Sequence, residues 1–114
     1  MNKPLSTFDT VREIVLALPG AEEGTSYGTP AFRVRKKFLC RLREDGETLV
    51  VKVDFDTREV LLQADPAVFF TTPHYDGYPS VLVRLPAIHP ENLREVLETA
   101  LRIHAPRKLA ALKR

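Results

Sequence analysis

The stretch FLCRLREDGETLVVKV, residues 38–53, decides the fold, because it carries two alternating strands joined by a turn. Its central pair, Asp45-Gly46, is typical of a two-residue type I′ hairpin turn. Such a turn sets three cross-strand pairs on one face of the sheet: Leu42 with Leu49, Cys40 with Val51, and Phe38 with Val53. The turn chemistry and the apolar pattern therefore predict the same register.

The residues just before this stretch add a third strand to the meander. Phe32 and Val34 reach the apolar face only if the connecting loop has three residues, 35–37, because a two-residue loop would turn them to the other side. We therefore predict a three-residue loop that pairs Val34 with Phe38 and Phe32 with Cys40. Residues 21–30 are rich in Gly, Thr and Ser, and we predict a loop there with at most a short extended piece.

Three helices are predicted around this meander. Apolar residues at helical spacing indicate helices over residues 8–18, from 56 or 57 to about 64, and over 90–104, while 107–114 form a short basic helical tail. Residues 80–85 are the surer of two later strands, and Asp76-Gly77 could turn a short hairpin before them. The predicted fold is α+β. It is a two-layer α/β sandwich of order α-β(3)-α-β(2)-α over residues 1–114, a single domain whose antiparallel sheet carries the helices on one face.

The composition of the 114 residues is that of an ordinary globular domain, with 44% hydrophobic and 28% charged residues and a net charge of +2. No apolar run approaches the roughly 18 residues of a membrane span, and the N-terminus has no secretory pattern. The single cysteine, Cys40, cannot form an intrachain disulfide. We therefore expect a cytoplasmic protein without a membrane partner.

Positive charge is concentrated on the face of the meander opposite the apolar one. The candidate nucleic-acid-binding residues there and at the neighbouring loop are Arg33, Arg35, Lys36, Lys37, Arg41, Arg43 and Lys52. This face is predicted to be open and to include the apolar residues Leu39 and Val50. Two interpretations remain: the cations contact the phosphates of DNA or RNA, or they form a solvated face that keeps the sheet edge from pairing.

A second candidate site lies at residues 74–78. His74, Tyr75, Asp76 and Tyr78 place a base, two phenols and a carboxylate within five residues, as an acid/base or ligand site would require. Adjacent residues of a strand point to opposite faces, so His74 and Tyr75 could act together only if a turn brings them together. The alternative is that Asp76-Gly77 simply forms a turn and the tyrosines pack.

The remaining chemically active residues do not form a site in the sequence. Cys40 is predicted to face the core as an inert small hydrophobe. His89 fits a helix start and His104 a helix end, and three scattered histidines lack the spacing of metal ligands. No phosphate-binding glycine motif or nucleophile elbow is present. We therefore predict no metal, no cofactor and no catalytic residues.

Two segments carry a resemblance to a known family. The longer is FFTTPHYDGYPSVLVRL, residues 69–85, and the second is GTPAFRV, residues 28–34, followed by Lys37-Phe38. With the order of elements, they resemble the MmcQ/YjbR family over nearly the whole chain. Many members have glycine in the first hairpin loop, where this chain has Lys36.

The resemblance implies a two-layer domain similar to frataxin-like and secretion-chaperone-like proteins, and a DNA-binding protein with a double-wing motif. We thus carry three hypotheses. The first is contact with DNA phosphates through the basic face and hairpin wings, with little sequence preference. The second is a protein-interaction module or homodimer anchored by Leu39 and Val50. The third is an enzyme or small-molecule binder at residues 74–78, which a deep pocket beside His74 would favour.

Overall fold

The computed structural model describes residues 3–104, which form three α-helices and six β-strands. In chain order these elements are α1 (Phe8–Leu16), β1 (Ala21–Ser26), β2 (Thr29–Val34), β3 (Lys37–Leu42), β4 (Thr48–Lys52), α2 (Phe55–Ala64), β5 (Phe69–Phe70), β6 (Ser80–Arg84) and α3 (Pro90–His104). The predicted tail at 107–114 lies outside the described residues. No helix within residues 3–104 is long and apolar enough to cross a membrane.

The six strands form one antiparallel sheet in the order β1-β2-β3-β4-β6-β5. All three helices contribute side chains to a single hydrophobic cluster with one face of this sheet. The predicted α+β fold is therefore confirmed, with one more strand before α2 than the sequence indicated. Burial of this apolar face is the main source of the domain's stability.

The helices follow from their apolar stripes and their caps. The last helix, α3, has the predicted bounds and buries the stripe from Leu93 to Leu101. The second helix begins at Phe55 because the carboxylate of Asp54 accepts a hydrogen bond of 2.8 Å from the backbone N–H of Thr57. The first helix ends at Leu16, two residues earlier than predicted.

The predicted loop at residues 21–30 is wrong, because residues 21–26 form the edge strand β1. This strand pairs with β2 from Ala21 opposite Val34 to Ser26 opposite Thr29. Tyr27 and Gly28 make the connecting turn, and both have positive φ angles, 53° and 80°, as a type I′ hairpin requires. The strand escaped prediction because it is polar and mostly exposed, so it has no apolar alternation.

The loop between β2 and β3 was also predicted wrongly. It has two residues, Arg35 and Lys36, with φ angles of 50° and 69°. Val34 therefore pairs with Lys37 rather than with Phe38. The extra residue is absorbed by a β-bulge, since Phe32 pairs with Cys40 as predicted while Arg33 pairs with Phe38.

Because of the bulge, Phe38 and Leu39 each lie on the face of the sheet opposite to the predicted one. Leu39, predicted on the open face, is 2% exposed and belongs to the hydrophobic core. Phe38, predicted to face Val53 in the core, instead lines the opposite face of the sheet with Arg33. A bulge re-aims the side chains beside it, and this one supplies an aromatic ring to the face that was predicted to be basic.

The register of β3 against β4 is as predicted, with Leu42 opposite Leu49 and Cys40 opposite Val51. The turn is wider than the two-residue type, because the N–H of Gly46 donates to the carbonyl of Arg43 at 3.0 Å. The Asp45 carboxylate accepts hydrogen bonds from the Glu47 and Thr48 backbone and from the Thr48 hydroxyl. Burial raises the pKa of Asp45, but these bonds outweigh it and hold the pKa below its ordinary value.

Residues 71–79 do not form the predicted hairpin at Asp76-Gly77. Two backbone hydrogen bonds fold them into successive turns, from the N–H of Tyr75 to the carbonyl of Thr72 (2.9 Å) and from the N–H of Tyr78 to the carbonyl of Tyr75 (3.0 Å). The strand predicted at 80–85 is confirmed as β6. The turns place this segment, named here the aromatic loop, against the sheet face that carries no helices.

The burial of Leu39 leads to a prediction about stability. Replacing Leu39 by Ala should lower the free energy of unfolding by about 2–5 kcal/mol, because it empties a core position. The matched control is Val60→Ala on α2, where Val60 is 66% exposed and the change should stay within about 0.5 kcal/mol. Urea denaturation followed by circular dichroism measures both, and equal small losses would place Leu39 on the open face after all.

Candidate ligand-binding cavity

The aromatic loop covers part of the sheet face opposite the helices and borders a cavity of about 670 Å³ over it. Strands β1, β2, β3, β4 and β6 supply the floor, and the aromatic loop supplies one wall. The cavity is lined by Ser26, Tyr27, Arg33, Phe38, Arg41, Glu44, Val50, Lys52, His74, Tyr75, Tyr78, Pro79 and Ser80. Parts of both candidate sites of the sequence thus line one cavity: Arg33, Arg41 and Lys52 of the first, and His74, Tyr75 and Tyr78 of the second.

Arg41 is the central polar group of the floor and is only 8% exposed. Its guanidinium donates hydrogen bonds to the Tyr75 hydroxyl at 2.8 Å, the Thr29 hydroxyl at 3.0 Å and the carbonyl of Leu42 at 3.3 Å. Its nearest carboxylate is that of the exposed Glu44, at 3.6 Å. Arg41 therefore holds the aromatic loop against the sheet, and little of its side chain is exposed to solvent.

The aromatic loop gathers three rings at the cavity. The centroids of His74 and Tyr75 are 4.7 Å apart, edge to face, and Tyr78 lies 6.1 Å from His74 and 6.4 Å from Tyr75. The turns bring together His74 and Tyr75, which an extended strand would have separated. Asp76 belongs to the same loop, but its side chain does not line the cavity.

A buried arginine on α2 holds the aromatic loop from behind. One terminal nitrogen of Arg58 donates to the carbonyls of Asp76 at 2.8 Å and Tyr78 at 3.2 Å. Its guanidinium also stacks on the Phe55 ring, 5.0 Å from the centroid. Sequence reasoning missed Arg58, because its position in a helix with a weak apolar stripe gives no sign that it reaches a loop.

The predicted cations do not all lie on one surface. Arg33 and Lys52 are half-buried in the cavity wall, and Arg43 lies 5.9 Å from the Tyr75 ring. Arg35, Lys36 and Lys37 lie at the β2–β3 turn and do not line the cavity.

The hairpin tips that could act as wings differ in charge. The β2–β3 and β3–β4 turns lie at opposite ends of the meander, because consecutive turns of an antiparallel sheet alternate. The tip that shares an end with Tyr27-Gly28 is the loop 44–47, which carries Glu44, Asp45 and Glu47. The two tips on the same side are therefore not both basic.

Within the cavity, charge is nonetheless positive. The lining residues include three cations, Arg33, Arg41 and Lys52, against the single carboxylate of Glu44. Neither Arg33 nor Lys52 takes part in an ion pair among residues 3–104. Tyr27 adds a ring 5.3 Å from the Arg41 guanidinium. The arrangement suits a ligand that is both anionic and aromatic.

Other candidate residues lie away from the cavity. Cys40 is buried on the core side, as predicted, and burial raises the pKa of its thiol far above the ordinary value. His104 packs beside the end of β4, where burial and the charge of Lys52 lower its pKa. His89 lines a separate groove between α2 and α3. Among residues 3–104 no group of three or more His, Cys, Asp or Glu could hold a metal ion.

The predicted anchors of a protein interface are not exposed. Leu39 lies in the core, for the reason given above, and Val50 is a buried part of the cavity floor. Phe38, Tyr27 and Ser80 are lining residues that sequence reasoning missed. No sequence signal indicates Phe38, because the bulge that turns its ring to this face leaves the apolar pattern unchanged.

Comparisons with known proteins agree with this architecture. A family model described as YjbR matches residues 16–103. The uncharacterized proteins Rv2570 of Mycobacterium tuberculosis and Mb2600 of Mycobacterium bovis are each 33% identical over 123 residues, covering 92% of this chain and 93% of the relative. A crystal structure of the Deinococcus radiodurans protein DR2400, with the family-model domain DUF419, has a TM-score of 0.74 at 24% identity and covers 95% of this chain and 85% of its own.

The second prediction concerns the hydrogen bond between Arg41 and Tyr75. Tyr75→Phe should lower the free energy of unfolding by about 1–3 kcal/mol, because it leaves a buried guanidinium nitrogen without its partner. Tyr78→Phe is the matched control, since Tyr78 is exposed and its hydroxyl makes no hydrogen bond within residues 3–104. Denaturant titration compares the two, and an equal effect would mean that the bond does not hold the loop.

Proposed function

This chain belongs to the MmcQ/YjbR family, and from that premise we propose that it binds single-stranded nucleic acid in the cavity, with little sequence preference. The observation that supports this most is the lining itself. Five aromatic side chains, Tyr27, Phe38, His74, Tyr75 and Tyr78, share one concave surface with three cations. Proteins that bind single strands without sequence preference combine such a positive groove with rings on which bases stack.

Single strands suit this surface better than a duplex. Unpaired bases can turn their faces toward protein rings, whereas the bases of a duplex are already stacked on each other. The tip at 44–47, beside the Tyr27 turn, carries three carboxylates that would repel a phosphate backbone. The family resemblance favours contact with DNA, and the cavity is the part of the described surface with the chemistry for it.

The proposed role is binding and not catalysis. His74 is the one lining side chain with an imidazole, and it makes no hydrogen bond or ion pair within the described range. A general base is usually oriented by a second group that hydrogen-bonds to it. Sequence preference should be weak, because stacking and phosphate contacts do not distinguish one base from another.

A second candidate is a small anionic molecule with an aromatic ring. The volume of about 670 Å³ favours it, because cavities that enclose small ligands measure about 300–1,000 Å³. The two candidates share one site, so one set of variants tests both. A free nucleotide that binds as tightly as an oligonucleotide would favour the small ligand.

The third prediction concerns charge in the cavity. The double variant Arg33→Ala, Lys52→Ala should weaken binding of a single-stranded 20-mer for all sequences and flatten its dependence on salt, because two phosphate contacts are lost. Fluorescence anisotropy at low and physiological salt measures this, with a double-stranded 20-mer and a free nucleotide titrated alongside. Arg41 is left unchanged because it supports the wall.

The matched control removes the same charge from the β2–β3 turn, with Lys36→Ala and Lys37→Ala. These residues are exposed and lie outside the cavity, so this variant should bind nearly as the original chain does. If the turn variant loses more affinity than the cavity variant, the basic tip is the binding surface and the cavity is not. Preference for the duplex would contradict the single-strand proposal.

A further inference from the structure

The turn between β1 and β2 holds an aromatic residue of the cavity in a backbone conformation that suits it poorly. Tyr27 has a φ angle of 53° at the first central position of the type I′ turn, where Asn, Asp or Gly is usual. A residue with a Cβ atom is strained in this left-handed region, and Asn adopts it more readily than Tyr does. The needs of the turn therefore do not explain why a tyrosine is present at this position.

Packing within the chain does not explain the tyrosine either. Tyr27 is 87% exposed, more than any other large hydrophobic residue between residues 3 and 104. In the same part of the chain its ring pairs with no other aromatic ring, whereas His74, Tyr75 and Tyr78 pack on one another. A strained residue whose exposed side chain lines a cavity indicates a contact with a ligand.

One face of the Tyr27 ring is occupied and the other is free. The Arg41 guanidinium lies over the ring, with its central carbon 5.3 Å from the ring centroid, and this contact holds the ring beside the cavity. Arg41 already donates hydrogen bonds to Tyr75, Thr29 and Leu42, so it does not depend on the ring for a polar partner. The exposure of 87% leaves the second face of the ring open to solvent. A ring that is held in place with one free face suits the stacking of a nucleobase.

We infer that one base of the bound single strand stacks on Tyr27, and that this contact makes the cavity prefer a purine to a pyrimidine; the inference rests on the proposed function. A purine covers the phenol ring with two fused rings and a pyrimidine with one, so the purine buries more apolar surface against it. Modest preferences among single strands come from stacking strength and not from hydrogen bonds to base edges. The preference is therefore for a class of base and not for a sequence.

The test compares two single-stranded thymidine 10-mers, one without a purine and one with a single central adenine, by fluorescence anisotropy. The original chain should bind the 10-mer with adenine more tightly. Tyr27→Asn should weaken that binding by about tenfold, the loss expected for one base stacked on an aromatic ring, and should abolish the preference. Tyr27→Phe keeps the ring and should bind both 10-mers as the original chain does.

Thermal unfolding distinguishes a contact with the ligand from a structural cover for Arg41. Tyr27→Asn should have a melting temperature equal to or above that of the original chain, because Asn suits the turn better. A clear fall in the melting temperature would mean that the ring stabilises the chain by covering Arg41, and it would overturn the inference.

Arg35→Asn is the matched control, because it makes the same change at the first central position of the β2–β3 turn. Arg35 has a φ angle of 50°, is exposed and does not line the cavity. This variant should also keep or raise the melting temperature. Because it leaves the Tyr27 ring in place, it should keep the preference for the 10-mer with adenine.

The binding results also separate this inference from the proposed function. If the 10-mers bind to Tyr27→Asn as tightly as to the original chain, the role of Tyr27 is wrong while nucleic-acid binding remains. Equal affinity of the original chain for the two 10-mers would overturn the preference for a purine. If no oligonucleotide binds to the original chain even at low salt, the proposed function fails and the inference fails with it.

Discussion

The buried positive charge of Arg41 is the constraint on which the second face of the sheet depends. A guanidinium that is almost entirely removed from water is costly unless its donors are satisfied, and the one carboxylate paired with it among residues 3–104, that of Glu44, is 3.6 Å away and exposed. The Tyr75 hydroxyl, at 2.8 Å, provides the contact that closes the aromatic loop over the sheet. Arg58 holds the same loop from α2 through two backbone carbonyls. The protein therefore has a cavity where the alternation of apolar and polar residues alone predicts an open basic surface.

The sequence predicted the parts of the fold that depend on local pattern. The stripe of α3, the strand β6 and the pairs Leu42–Leu49 and Cys40–Val51 follow from apolar spacing and turn chemistry. The bulge at Leu39 could not be predicted, because an extra residue in a loop and an extra residue in a strand satisfy the same pattern. Its consequence is large, since it buries Leu39 and moves Phe38 into the cavity.

The sequence predicted several residues of the candidate site but not how they are arranged in space. The basic run and the 74–78 segment were both recognised, yet their meeting depends on long-range contacts such as Arg41 with Tyr75, which are 34 positions apart. Polar, exposed β1 gave no periodic signal, so the Tyr27 turn was missed with it.

The proposed function follows from aromatic rings and cations that line one cavity, and its central claim is that this cavity is where nucleic acid binds. The most direct measurement is an NMR titration of the ¹⁵N-labelled chain with a short single-stranded oligonucleotide, following backbone amide shifts. We expect the shifts to cluster at Arg33, Phe38, Lys52 and residues 74–80. Shifts confined to the 35–37 turn or to the helices would contradict it.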